Sequence, residues 1–279
     1  MSLNEPNPFS PKFLYSIFGD NSIRLSKSRG QNYLIDRNIA ERIVSLIGES
    51  PAVLEVGTGM GALTLLIPRD RQVYSIEIDA GIHRLLSQYT LSPNIELIHA
   101  DFLKFQTSTI HEKELFFLSN LPYSISGEAV KRFIEEDVFL RGAVMSQKEF
   151  YEKMTASPGG PGYGVMSVIS QVFLEITAEF NVPRTCFLPQ PSVDSVVISL
   201  VKKKIDFAQG EFKNFLASCF LMKRKTIENN FKKAGFPLDI LMLSGVPGNI
   251  RPEEVAPPKW VEIFKRFSDN NRNEKFPAS

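Results

Sequence analysis

Asn120-Leu121-Pro122-Tyr123 is the stretch of this 279-residue chain whose residue types point most directly to chemistry. An amine on a nucleobase is a poor nucleophile, because its lone pair is delocalised into the ring. If the Asn120 amide oxygen and a nearby backbone carbonyl both accept its N–H bonds, the nitrogen is drawn towards a tetrahedral geometry. Its lone pair can then face an incoming methyl group, and no strong base has to act first. Pro122 lacks an N–H and has a fixed φ, so it would hold such a loop rigid with its carbonyls available, and Tyr123 offers a ring on which a base can stack. The bland reading of the same tetrapeptide is a turn that closes a strand.

The company of Asn120 argues for the chemical reading. Val53-Leu54-Glu55-Val56 runs into Gly57-Thr58-Gly59-Met60-Gly61-Ala62, where glycine permits positive φ and close approach of a ligand to the backbone. Gly57-x-Gly59-x-x-Ala62 with Glu77 about 20 residues further on fits a dinucleotide fingerprint, with Glu77 as the ribose acid. It fits an S-adenosylmethionine turn equally well, and a plain structural turn is the third possibility. A second acid, Asp101, follows another apolar run.

The elements that must carry these residues follow from periodicity. Strand-like runs at 53–56, 73–76, 95–98, 115–118 and 143–146 alternate with helical spacing at 62–67, 82–89 and 128–139. This βα alternation predicts a parallel, doubly wound sheet. Ligands bind such sheets at the carboxyl ends of the strands, so Gly57, Glu77, Asp101 and Asn120 are expected on one edge. Ile39, Ile43, Leu46 and Ile47 predict a helix capped by Asp36. Residues 172–181 and 193–201 read as an antiparallel pair at the sheet edge, flanking a proline-rich connection with an exposed-looking Phe187. Residues 157–164 read as a mobile Gly/Pro loop. Beyond Lys204 the chain turns helical: Phe212, Phe215, Leu216, Cys219 and Phe220 form a core-facing stripe, Lys223-Arg224-Lys225 sits at a helix junction, and Trp260, Ile263, Phe264 and Phe267 mark a last helix.

Composition narrows the function classes. Net charge is +1, but residues 1–201 hold 17 Lys and Arg against 22 Asp and Glu, whereas residues 202–279 hold 15 against 9. A basic appendage on an acidic body suggests a polyanion partner. Two cysteines without a CxxC pair and three histidines signal neither a disulfide framework nor a zinc site. Residues 1–11 lack an apolar signal core and no run approaches about 18 apolar residues, which predicts a cytoplasmic protein. Arg24, Lys27 and Arg29 lie in an opening arm that could meet phosphate.

Taken as an ordered set, Gly30-Gln31-Asn32-Tyr33-Leu34, Glu55-Val56-Gly57-Thr58-Gly59, Ile76-Glu77-Ile78-Asp79, Ala100-Asp101, Asn120-Leu121-Pro122-Tyr123, Phe187-Leu188-Pro189-Gln190-Pro191 and Lys223-Arg224-Lys225-Thr226-Ile227 resemble the KsgA (RsmA/Dim-type) rRNA adenine N6,N6-dimethyltransferases. The likeness runs from about Lys27 to Phe267. It implies a Rossmann-like α/β domain that uses S-adenosylmethionine, with Asn32, Leu34, Gly57, Gly59, Glu77, Asp101 and Asn120 at the cofactor, Glu77 on the ribose hydroxyls and Asp101 on the adenine amino group. Asn120, Pro122 and Tyr123 would serve the target base, and Phe187 would stack on it from the other side. RNA would be held by Lys202, Lys203, Lys223, Arg224 and Lys225. The implied substrate is a pair of adjacent adenosines in a loop near the 3′ end of 16S rRNA, in an immature small ribosomal subunit, methylated by a monomer. Arg29 departs from the apolar residue usual there, and the loop at 158–162 is longer than usual.

The expected organisation is a flexible segment over 1–23, a catalytic domain over 24–204, a small helical RNA-binding domain over 205–270 and a disordered tail over 271–279. Three other functions fit parts of the pattern: a large-subunit rRNA methyltransferase of the macrolide-resistance type, a noncatalytic RNA-binding assembly factor, and an NAD-dependent oxidoreductase. The last would need a hydride-handling group, and no histidine is expected at a strand end.

Overall fold

The computed structural model describes residues 6–21, 23, 32–89, 91–120 and 124–275, the side chains of 271–275 excepted. It separates into two compact units, Met1–Tyr151 with Ile176–Lys202, and Glu152–Glu175 with Lys203–Ser279.

The first unit is built on strands β1 (Tyr33–Leu34), β2 (Ala52–Val56), β3 (Gln72–Glu77), β4 (Ile95–His99), β5 (Leu115–Asn120), β6 (Phe139–Gln147), β7 (Leu174–Val182), β8 (Phe187–Leu188) and β9 (Ser195–Lys202). Seven form one sheet in the order β4-β3-β2-β5-β6-β9-β7, while β1 and β8 pair separately. The pairings from β4 through β6 are parallel and β9 joins β6 antiparallel, so the sheet is doubly wound with a reversed strand near one edge. All five residues of β2 are buried, as a strand covered on both faces requires. On β5 the alternation separates the two layers. Phe116 and Leu118 pack with helix α2 (Arg37–Ser45), and Phe117 meets Phe133 and Phe139 at ring distances of 5.6 and 5.3 Å. Asp36 caps α2 by accepting from Ile39 N–H at 3.0 Å.

Several expectations need correction. The opening segment holds a helix, α1 (Pro11–Asp20), with Ser10 as its cap, Pro11 at the first helical position and Leu14, Ile17 and Phe18 buried. The helix expected over 62–67 is a 3₁₀ turn, Thr64–Leu66: Pro68 forces Ile67 into an extended conformation, which ends it. Helix α3 spans Ala80–Leu86, and α4 spans Ser126–Glu135, ending four residues before Phe139, which opens β6 instead. Helix α5 (Lys148–Met154) carries the chain out of the sheet unit.

The second unit is helical: α6 (Val165–Phe173), α7 (Gln209–Cys219), α8 (Ile227–Ala234), α9 (Asp239–Leu243) and α10 (Pro257–Lys275). Val172 and Phe173 close α6 rather than opening a strand. The β-branched residues around them favour extended backbone, but burial of Val168, Ile169 and Phe173 along the helix overrides that preference. Aromatic rings fill the core of this unit: Phe212 meets Phe173, Phe207 and Phe264 at ring distances of 5.7, 5.1 and 5.2 Å. The loop over 157–164 is fastened rather than loose: Tyr163 is buried and its hydroxyl donates to the Val255 carbonyl at 2.6 Å, while Gly159 N–H donates to the Glu253 carbonyl at 2.7 Å. Helix α10 continues to Lys275, beyond the point where the polar composition suggested a tail. Residues 152–175 group with this unit, so the chain crosses between the units at 151/152 and 175/176 as well as near Lys203.

Candidate cofactor and methyl-transfer site

In the first unit the strand order reverses between β2 and β5, and a crevice opens at that switch point beyond their carboxyl ends. Register explains what meets there. Val56 lies opposite Ser119, so Gly57 and Asn120 leave neighbouring strands side by side. Val56 also lies opposite Ile76, which puts Glu77 next, and Glu77 lies opposite His99, which brings Asp101 just beyond. A cavity of about 460 Å³ occupies the crevice, and Asn32, Leu34, Gly57, Gly59, Glu77, Asp101 and Asn120 all line it.

Each polar group is set by local structure. Gly57 and Gly59 have φ of +83° and +54°, and a Cβ on Gly59 would meet the Tyr33 ring at 3.3 Å, so this turn tolerates nothing larger. Glu77 is 6% exposed. One carboxylate oxygen accepts from Gly59 N–H and the other from Asp79 N–H, both at 2.8 Å. Burial raises its pKa, and those backbone donors pull it back. The carboxylate as a whole still has acceptor capacity for a hydroxyl. Asp101 accepts from Leu103 N–H at 3.0 Å and has Lys104 Nζ at 3.7 Å from its other oxygen. Asn120 donates from Nδ2 to the Asn32 carbonyl at 3.1 Å, which commits the NH₂ end and leaves the amide oxygen to accept from something else.

Sequence reasoning passed over several lining residues. Ile78 is 64% exposed at the cavity edge, and Met60, Phe102 and Ile125 supply further apolar wall. The available signal was the position of Ile78, directly after the ribose acid in Ile76-Glu77-Ile78-Asp79. Glu55, also in the lining, is fully buried. It accepts from Thr64 Oγ1 at 2.5 Å and Ser75 Oγ at 2.7 Å, and burial pushes its pKa up to about 7.

Other expected site residues fall elsewhere. Pro122 and Tyr123 lie outside the described residues, as do Arg24, Lys27, Arg29, Gly30 and Gln31. Phe187 is not exposed: at 3% accessible, paired through β8 with Leu34 of β1, it belongs to the core behind the cavity wall and does not line the cavity. Lys202 is half-buried, with Nζ on the Glu136 carbonyl at 2.6 Å and 5.7 Å from the Phe133 ring centre. There it caps the end of α4, and burial lowers its pKa to about 8. Lys203 places Nζ on the Gln171 carbonyl at 2.9 Å. Lys223, Arg224 and Lys225 are exposed between α7 and α8, with Thr226 capping α8. A histidine does end a strand, since His99 closes β4, but its Nε2 lies 3.3 Å from the Ile78 carbonyl, its ring is 5.2 Å from that of His83, and it does not line the cavity.

A glycine turn, a buried ribose-type acid and a second acid on successive strand ends, in a cavity with apolar walls, fit a nucleoside-bearing methyl donor, and the fold and site define a Rossmann-like S-adenosylmethionine-dependent methyltransferase. Residues 23–269 match the family model described as ribosomal RNA adenine dimethylase, and the chain belongs to that family. It is 37% identical over 249 residues to the ribosomal RNA small subunit methyltransferase A of Thermotoga petrophila, covering 88% of this chain and 92% of the relative. With the Mycoplasma mobile protein of the same name it shares 37% over 243 residues, covering 84% and 94%. Among solved structures it is similar to a dimethyladenosine transferase from Plasmodium falciparum, with TM-score 0.73, 26% identity and coverage of 85% and 98%. The 23S rRNA methyltransferase ErmE follows with TM-score 0.63, 27% identity and coverage of 84% and 99%. The chain is thus an S-adenosylmethionine-dependent RNA adenine methyltransferase. No helix among the described residues is long and apolar enough to cross a membrane.

Proposed function

We propose that this enzyme dimethylates N6 of two adjacent adenosines in a loop near the 3′ end of 16S rRNA, acting as a monomer in the cytoplasm on an immature small subunit. The anchoring of Asn120 to the Asn32 carbonyl at the edge of the cofactor cavity carries the reading. The small-subunit relatives support the choice of RNA.

The roles follow from chemistry. Glu77 takes the ribose hydroxyls on lone pairs that its backbone partners leave unused. Asp101 accepts from the adenine amino group, and Ile78 and Phe102 cover the purine with apolar surface. Asn32 and Leu34, on the segment that crosses the switch point, bound the cavity near Asn120. Bound there, S-adenosylmethionine supplies an electrophilic methyl group on sulfur. The Asn120 amide oxygen accepts one N–H of the target amine, and a carbonyl of the following Leu121-Pro122-Tyr123 segment accepts the other. The lone pair is thereby turned out of conjugation, and the surplus proton leaves only after the new N–C bond has formed. Tyr123 stacks on the target base. Phe187, held in the core next to Leu34, reaches that base only if its ring is uncovered when RNA binds. Lys223, Arg224 and Lys225 contact phosphate, which positions RNA without selecting a base.

The test is mass spectrometry of rRNA from a deletion strain with and without the restored gene. Dimethyladenosine should be absent from the small-subunit site without the gene and return with it. Methyl groups appearing instead on large-subunit rRNA would point to the macrolide-resistance type, and restored subunit assembly with no methylation to a noncatalytic factor.

A further inference from the structure

Helix α4 follows directly on the Asn120 segment, and one of its side chains reaches back to the turn that bears the second acid. Arg132 donates from Nη2 to the Phe105 carbonyl and from Nε to Glu136 at 2.5 Å, and its guanidinium carbon lies 4.6 Å from the Phe102 ring centre. Glu136 in turn accepts from Thr107 Oγ1, so both ends of the 102–107 segment are tied to the same helix through one ion pair. The side chains of that pair are only 13% and 21% exposed, which separates it from the solvated Lys131–Glu128 pair on the same helix, and Arg132 Nη1 is buried without a hydrogen-bond partner. A guanidinium held this way, with one donor unused, serves geometry more than solubility. The segment it holds begins at Asp101, whose carbonyl accepts from Lys104 and Phe105 N–H, both at 2.9 Å, and it includes Phe102, which lines the cavity beside Asp101.

We propose that Arg132 is a positioning residue for cofactor recognition: clamped between Phe105 and Glu136 and laid over Phe102, it sets where the Asp101 carboxylate and the Phe102 ring stand against the adenine. The inference rests on the assignment of Asp101 to the adenine amino group. Arg132 lies outside the lining of the cofactor cavity and its side chain is only 13% exposed, so its loss should raise Kd and KM for the cofactor and leave kcat and the KM for RNA nearly unchanged. Lysine keeps the charge but cannot meet Phe105, Glu136 and the ring together, so Arg132→Lys should behave as a partial loss.

The experiment measures binding of S-adenosylhomocysteine and of S-inosylhomocysteine, which lacks the adenine amino group, to the full chain. The variants are Arg132→Ala, Arg132→Lys, Thr107→Val and Asp101→Ala, together with the Arg132→Ala/Asp101→Ala double variant. Wild type should prefer the adenosyl compound. Arg132→Ala should weaken it by roughly 5- to 30-fold and shrink the preference, Thr107→Val should act in the same direction by less, and the double variant should be no worse than Asp101→Ala alone. Thr107→Val leaves the α4 core untouched, so it keeps the test open if Arg132→Ala folds poorly. If Asp101→Ala loses the preference while Arg132→Ala and Thr107→Val both keep wild-type affinity and preference, the positioning role is wrong. If Asp101→Ala itself keeps both, the adenine assignment fails and the proposal falls with it.

Discussion

Asn120 Nδ2 donates to the Asn32 carbonyl at 3.1 Å, joining the end of β5 to the segment that leads into β1, 88 residues earlier in the chain. The bond engages the donor end of the amide on protein and leaves the acceptor end for another partner. An amide oriented in advance needs little reorganisation when the target amine arrives.

Replacing Asn120 with alanine should lower single-turnover methylation by about 10²- to 10³-fold, the drop typical of removing one preorganised polar group, while RNA affinity changes little. Asn120→Asp should be as severe, because a carboxylate would oppose the Asn32 carbonyl instead of donating to it. Near-normal methylation by either variant would remove Asn120 from the mechanism.

Glu77 accepts from two backbone N–H groups and faces the cavity. Glu77→Ala should weaken S-adenosylhomocysteine binding by about 1.5–3 kcal/mol, the range for hydrogen bonds to a charged group. Calorimetry measures this directly, with NAD as the control expected not to bind.

The buried Glu55 makes stability depend on pH. Burial raises its pKa from the ordinary 4.5 to about 7, partly offset by Thr64 and Ser75. A folded state that holds the proton more tightly than the unfolded chain gains stability that is fully present below 4.5 and lost as pH rises through about 7, by a few kcal/mol at most at about 1.4 kcal/mol per unit. The Glu55→Gln protein, which keeps an acceptor for both hydroxyls, should therefore show a Tm that improves relative to wild type as pH rises from 5 to 8. A constant difference across that range would show that Glu55 does not titrate there.

Phe18 on α1 is buried against Tyr33 at a ring distance of 5.0 Å, and Tyr33 lines the cavity. Phe18→Ala should cost about 3 kcal/mol in urea denaturation, as expected for emptying a core aromatic site, and should also weaken cofactor binding. Full stability after this change would mean that α1 does not contribute to the core.

Basic residues should separate by role. Exposed Lys223, Arg224 and Lys225 changed together to alanine should reduce the slope of log affinity against log salt by about 2–3, at roughly 0.7–0.9 for each phosphate no longer neutralised. Lys202→Ala should leave that slope alone and lower Tm, because its ammonium is already engaged by the Glu136 carbonyl. Filter binding across a potassium chloride series, with melting curves alongside, distinguishes the two.

The parallel sheet and the convergence of Gly57, Glu77, Asp101 and Asn120 were legible from the sequence alone. They depend on local signals, namely apolar runs, glycines that need positive φ and acids at strand ends, and on the rule that doubly wound sheets bind at their carboxyl edge. What only the tertiary structure decided depends on partners far away in sequence. Residues 11–20 become a docked helix because their apolar face finds Tyr33, and residues 165–173 become a helix although their β-branched side chains favour a strand. Phe187 is core rather than surface because Leu34 pairs with it across 153 positions. Lys202 caps a helix rather than waiting for phosphate, because β9 ends beside α4. A charge or an aromatic ring has the same one-letter symbol whether it faces water or a carbonyl, and only the fold brings the partner that settles which.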